Sequence, residues 1–63
     1  MKKWNDLTPY EQSKYQEGKV ELYGVIWECR YKFVNEYLIE VYYLDHNYQG
    51  PCHTSRMSLI TTT

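Results

Sequence analysis

The chain has 63 residues and a net charge of -1, with seven Lys and Arg against eight Asp and Glu. That length excludes more than one domain, and that balance leaves no basic footprint for duplex nucleic acid or an anionic membrane. Leu, Ile, Val and Phe number only 13 and eight residues are Tyr, a composition near the threshold of disorder; the aromatic content and long apolar alternation exclude disorder, so a fold with Tyr rings in its core is expected.

Lys2 and Lys3 lead into Trp4, Asn5 and Asp6. They read as a solvated end with no signal-peptide core, and no stretch reaches the roughly 18 apolar residues of a membrane span. The expectation is a cytoplasmic protein in which Cys29 and Cys52 remain thiols. Leu7-Thr8-Pro9-Tyr10-Glu11 then predicts a helix over 9–17, with Thr8 as cap, Pro9 in the first turn and Glu11 closing the capping box. Gly18 is placed to end it. Leu7 lacks an apolar staple partner, because Gln12 stands where one belongs.

Six side chains alternate from Tyr23 to Phe33 (Tyr23, Val25, Trp27, Cys29, Tyr31, Phe33) and four more follow at Tyr37, Ile39, Val41 and Tyr43. Period two over such lengths means paired strands with one apolar face. A strand over 19–33 is expected, bent at Gly24 rather than broken there, since no turn dipeptide is present. The partner strand covers 37–45. A three-residue loop at 34–36 sets Phe33 opposite Tyr37, Tyr31 opposite Ile39, Cys29 opposite Val41 and Trp27 opposite Tyr43, whereas a two-residue loop puts Glu40 into the apolar face. The odd loop also brings Arg30 across from Glu40. Residues 45–51 are turn-rich, 52–60 supply a third strand with Met57 and Leu59 on one side, and 61–63 read as a frayed end.

The fold class that follows is α+β in a single domain, 1–63: a short N-terminal helix and a strongly bent three-stranded antiparallel meander, with a small SH3-like barrel as the alternative. The apolar face from Tyr23 to Phe33 runs about 35 Å, and a nine-residue helix is about 13 Å long. Such a helix cannot cover it. Either the sheet curls on itself or a second copy supplies the missing layer, so a homodimer is expected. The opposite face carries Leu22, Ile26, Tyr42 and Leu44 beside Arg30, with Leu38 toward the hairpin tip. These six are the candidate partner-binding residues, unless the helix packs there instead.

Chemistry finds little footing. Cys29, His46, Cys52 and His53 lack the close spacing of a zinc knuckle, and adjacent Cys52 and His53 point apart on a strand. Cys29 reads as a buried small residue. A thiol nucleophile at Cys52 with His46 or His53 has no motif for an oxyanion hole, and Gly18, Gly24 and Gly50 stand too far apart for a phosphate loop. No catalytic residue, metal ligand or cofactor is assigned. An aromatic sheet face for single-stranded nucleic acid lacks a basic groove, having only Arg30, Lys32 and Arg56. Trp27, Tyr31, Tyr42 and Tyr43 are the candidate walls of a cage for a cationic ligand. Gly24-x-x-Trp27-x-Cys29-x-Tyr31 with Tyr37-x-Ile39-x-Val41-x-Tyr43-x-Asp45 resembles the middle strands of Tudor-like barrels, over less than half of the chain and with no transferable cage position.

The expected function is therefore a small protein-binding module that occupies a partner's surface sterically and is not an enzyme. Residues with A/T-rich codons number 22 against 7 for Gly, Ala, Arg and Pro. That bias fits a phage-like or mobile-element inhibitor or accessory protein, with aromatic-face binding of single strands or small ligands as the alternative.

Overall fold

Thr8 caps the helix as its sequence predicts: the Glu11 N–H donates to Thr8 Oγ1 at 3.1 Å and the Thr8 N–H to Glu11 Oε1 at 3.0 Å. The computed structural model describes residues 3–44 and 51–60; Lys2, His46, most of the turn-rich connection and the expected C-terminal end lie outside them. The helix, α1, is only Pro9–Gln12, not 9–17. Ser13 ends it by donating its hydroxyl to the Tyr10 carbonyl at 2.6 Å, a local bond that competes with the helical ladder. No apolar stripe follows to hold further turns in place. Gln12, in the staple position, donates its amide to the Trp4 carbonyl at 2.9 Å and ties α1 to a 3₁₀ turn at Trp4–Asp6.

The long strand is broken, not bent. Strand β1 is Gln16–Leu22 and β2 is Val25–Phe33, paired antiparallel with Leu22 opposite Val25. Tyr23 and Gly24 form the two-residue turn, with φ of 55° and 76°. Positive φ at both positions is the primed turn whose twist matches that of paired strands. Gly18 does not terminate a helix. It lies within β1 opposite Cys29, under the ring of Tyr31, where an added Cβ would stand 2.5 Å from Tyr31 Cε1.

Strand β3, Leu38–Tyr43, pairs with β2 in an odd-loop register that is shifted by two from the predicted one. Phe33 faces Ile39, Tyr31 faces Val41, Cys29 faces Tyr43, and Lys32 rather than Arg30 faces Glu40. Asn35 sets this register: its Oδ1 accepts from the N–H groups of Tyr37 and Leu38 at 2.7 and 3.0 Å. An Asx turn of this kind positions the loop independently of cross-strand pairing. A shift of two preserves the face of every side chain.

The expected third strand is likewise two. Strand β4, Cys52–Ser55, pairs with β3; a 3₁₀ turn follows at Arg56–Ser58; and β5, Leu59–Ile60, pairs with β1. The result is one antiparallel sheet of five strands in the order β4-β3-β2-β1-β5. With one four-residue α-helix, the α+β description fits only loosely.

In a flat sheet β4 and β5 would lie about 19 Å apart, four spacings of about 4.8 Å. The 3₁₀ turn joining them spans roughly 8 Å. The sheet must therefore curl strongly, although β4 and β5 do not pair and the barrel is not closed. The curl supplies the cover that the helix cannot. Val20, Cys29, Ile39 and Val41 are fully buried on the concave face, with Leu22, Trp27, Tyr31, Tyr43, Cys52 and Leu59 packed around them.

Candidate functional site

The N-terminal segment covers the convex face, not the apolar one. Trp4, Tyr15 and Tyr42 form a triad with ring centroids 5.4–5.5 Å apart, which buries Tyr42 to 6% exposure. Beside it the Tyr15 hydroxyl donates to Glu40, whose carboxylate also lies 3.8 Å from Lys32 Nζ and 3.5 Å from His53 Nε2. Burial and the neighbouring Glu40 carboxylate push the Tyr15 phenol well above its ordinary value, and Tyr42 moves the same way chiefly by burial. The crevice between this segment and the sheet holds about 340 Å³ and is lined in part by Lys14 and Lys32. Both ammonium groups are engaged, Lys14 over the Tyr10 ring and Lys32 with Glu40.

The cysteines are structural in placement. Cys29 is fully buried and its thiol is pushed up to about 11 by desolvation. Cys52 turns inward against the core and His53 turns outward to Glu40, which separates the pair considered for metal binding or nucleophilic catalysis. Tyr42 lies on the opposite face from Trp27, Tyr31 and Tyr43, so these four do not form a cage; Trp27 and Tyr43 pack edge to face at 6.0 Å.

The six candidate partner-binding residues do not form one patch. Tyr42 is buried beneath Trp4 and Tyr15. Arg30 stays on the convex face, half-buried, with Nη2 3.4 Å from Glu17 and Nη1 donating to the Cys29 carbonyl. Leu38 lies at the far end of β2 and β3, opposite Ser55. Leu22 packs on the concave side, because the two-residue turn reverses the parity that a continuous strand would have kept. Ile26 is 57% exposed, and Leu44 donates its N–H to the Glu28 carbonyl two residues along β2 from it.

Ile26 and Leu44 therefore share the convex face, Ile26 close to the β1–β2 hairpin tip and Leu44 further along beside Glu28, while Leu22 lies beneath the tip on the concave face. Leu22-Tyr23-Gly24-Val25-Ile26-Trp27 is uncharged throughout. Tyr23 is fully exposed, at 101%, and Val25 is 46% exposed. Sequence reasoning missed Tyr23 because alternation counted it as a strand residue; the available signal was the Gly that follows it. A second exposed group, also missed except for Leu38, lies at the other end, where the β2–β3 loop meets the second 3₁₀ turn: Phe33, Val34, Tyr37, Leu38 and Met57. Among the described residues no helix is long and apolar enough to cross a membrane. No family model, curated protein or solved structure matches the chain.

Proposed function

We propose that this chain is a protein-binding module that presses the β1–β2 hairpin tip into an apolar cleft of another protein and acts by steric occupation, without chemistry of its own. The observation that carries the reading is Tyr23, a bulky residue held at φ 55° with its side chain wholly in solvent. A non-glycine residue in the left-handed region costs about 1–2 kcal/mol, and Asn before Gly would serve the turn with less strain. Exposure of the ring returns nothing to the fold. Strain maintained at an exposed aromatic is a pointer to contact with something else.

The surroundings support the same use. Val25 and Ile26 flank the tip, and Leu22 beneath it is anchored in the core, so the projection is apolar and rigidly based. A convex knob calls for a concave partner, and occupation of a cleft is the action of an inhibitor or accessory factor. The excess of residues whose codons are A/T-rich suits a phage-like origin for such a factor.

The decisive variant is Y23N. It should raise fold stability and abolish binding, a combination that damage to the fold cannot produce. A photo-crosslinking residue at position 26, expressed in the source cell, is expected to trap one discrete protein, and the same residue at position 19 is not. Persistence of the position-26 adduct in the Y23N background would overturn the proposal, as would an adduct of two copies of this chain alone.

A further inference from the structure

Arg56 is held at three points at the other end of the sheet. Its backbone N–H donates to the Tyr37 carbonyl at 2.9 Å, its Nη1 donates to the Glu36 carbonyl at 3.2 Å, and its guanidinium carbon sits 4.5 Å from the Phe33 ring centroid. A long side chain restrained in this way has already lost much of the freedom that binding would remove. Around it Met57 is 93% exposed, Tyr37 75% and Phe33 46%. Among the described residues the ion pairs lie elsewhere: Glu17 meets Arg30, and Glu40 meets Lys32 and His53. Arg56 has carbonyl and ring partners in their place.

A guanidinium carries five N–H donors in one plane, and the Glu36 carbonyl uses one of them. The remaining edge matches the two oxygens of a carboxylate. We infer that this end of the sheet is a second binding surface, which takes a short peptide segment of another protein in which Glu or Asp stands beside a large apolar residue. The carboxylate meets Arg56, and the apolar side chain lies against Met57 and Tyr37. A single restrained cation among apolar groups does not track a phosphate backbone, which needs a row of cations, so the surface favours a peptide over single-stranded nucleic acid. It is independent of the hairpin tip.

The test is fluorescence anisotropy on the full chain, using fluorescein-labelled octapeptides with a central Trp-Glu, Trp-Gln or Trp-Lys pair, in either order, between Gly-Ser flanks. The Glu peptide should saturate and bind about tenfold more tightly than the Gln peptide, the gap expected of a charge-assisted hydrogen bond, with the Lys peptide weakest. R56Q should erase the gap between Glu and Gln, R56K should narrow it, and M57S should weaken both peptides alike. Y23N should leave all three affinities unchanged. Equal binding of the three peptides, no saturation by the Glu peptide, a gap that survives R56Q, or displacement of the peptide by oligo(dT) would each overturn the inference. Should R56Q fail to fold, an undiminished gap in R56K would overturn it too.

Discussion

Tyr23 and Gly24 divide one turn between a strained residue and one that adopts positive φ freely. Y23N should therefore stabilise the chain by about 1 kcal/mol, a rise of about 4–8 °C in Tm for a domain of this size. Thermal denaturation followed by circular dichroism reads this directly, and G24A should shift the midpoint the other way by a similar amount. Cys29 gives a pH signature. Burial holds its thiol protonated up to about 11, against an ordinary 9.0. Above pH 9 the unfolded state loses this proton and the folded state keeps it, so stability present below pH 9 falls as pH rises toward 11, by roughly 1 kcal/mol per unit. Tyr15 and Tyr42 add loss of the same sign once an unfolded phenol begins to ionise, near pH 10. C29A should flatten a urea-midpoint profile between about pH 9 and 10, where the thiol alone titrates, and leave the fall above pH 10 that the two phenols cause.

At the scale of elements, the sequence was legible where a local rule had no competitor. Thr8, Pro9 and Glu11 place the helix start because capping is settled within four residues. Its end was misjudged because length depends on what the helix packs against, and Tyr15 is drawn onto Tyr42 instead of continuing the helix. Removing Trp4 from that cluster by W4A should expose Tyr42 and cost about 2 kcal/mol, less than loss of a fully buried ring. Near-UV circular dichroism should lose the contribution of the Trp4–Tyr15–Tyr42 cluster and keep that of Trp27 and Tyr43, while the far-UV sheet signal stays. The β2–β3 hairpin shows the complementary case: parity followed from apolar alternation, but the two-residue shift followed from the Asn35 side chain. N35A should destabilise the hairpin by about 1 kcal/mol, measurable as faster amide exchange at Leu38 and Ile39.

For the whole molecule, the deciding event is the return of β5 to β1. A chain read as helix plus meander has an uncovered face, and the short 3₁₀ turn after β4 covers it by drawing the sheet around its own core, with β4 and β5 left as the edges. Leu59 seals the seam against Val20. L59D should cost more than about 2 kcal/mol, since it places a carboxylate against the core, and its urea midpoint should fall accordingly. The radius of gyration, 11.1 Å over Cα atoms, is near the roughly 10.6 Å of a well-packed chain this long. Within one chain the curled sheet fully buries Val20, Cys29, Ile39 and Val41, and the exposed apolar groups lie at its two ends.

Sequence alone determined the antiparallel sheet, the membership of the apolar face along β2 and β3, the helix cap and the inward placement of Cys29, because period-two alternation and capping act over a few neighbouring residues. Tertiary structure decided that Tyr23 and Gly24 turn the chain, that Tyr42 lies beneath Trp4, and that β5 crosses back to β1. Those outcomes depend on which distant surfaces meet, where the gain from burial outweighs a modest local cost, and no short window of residues carries that balance.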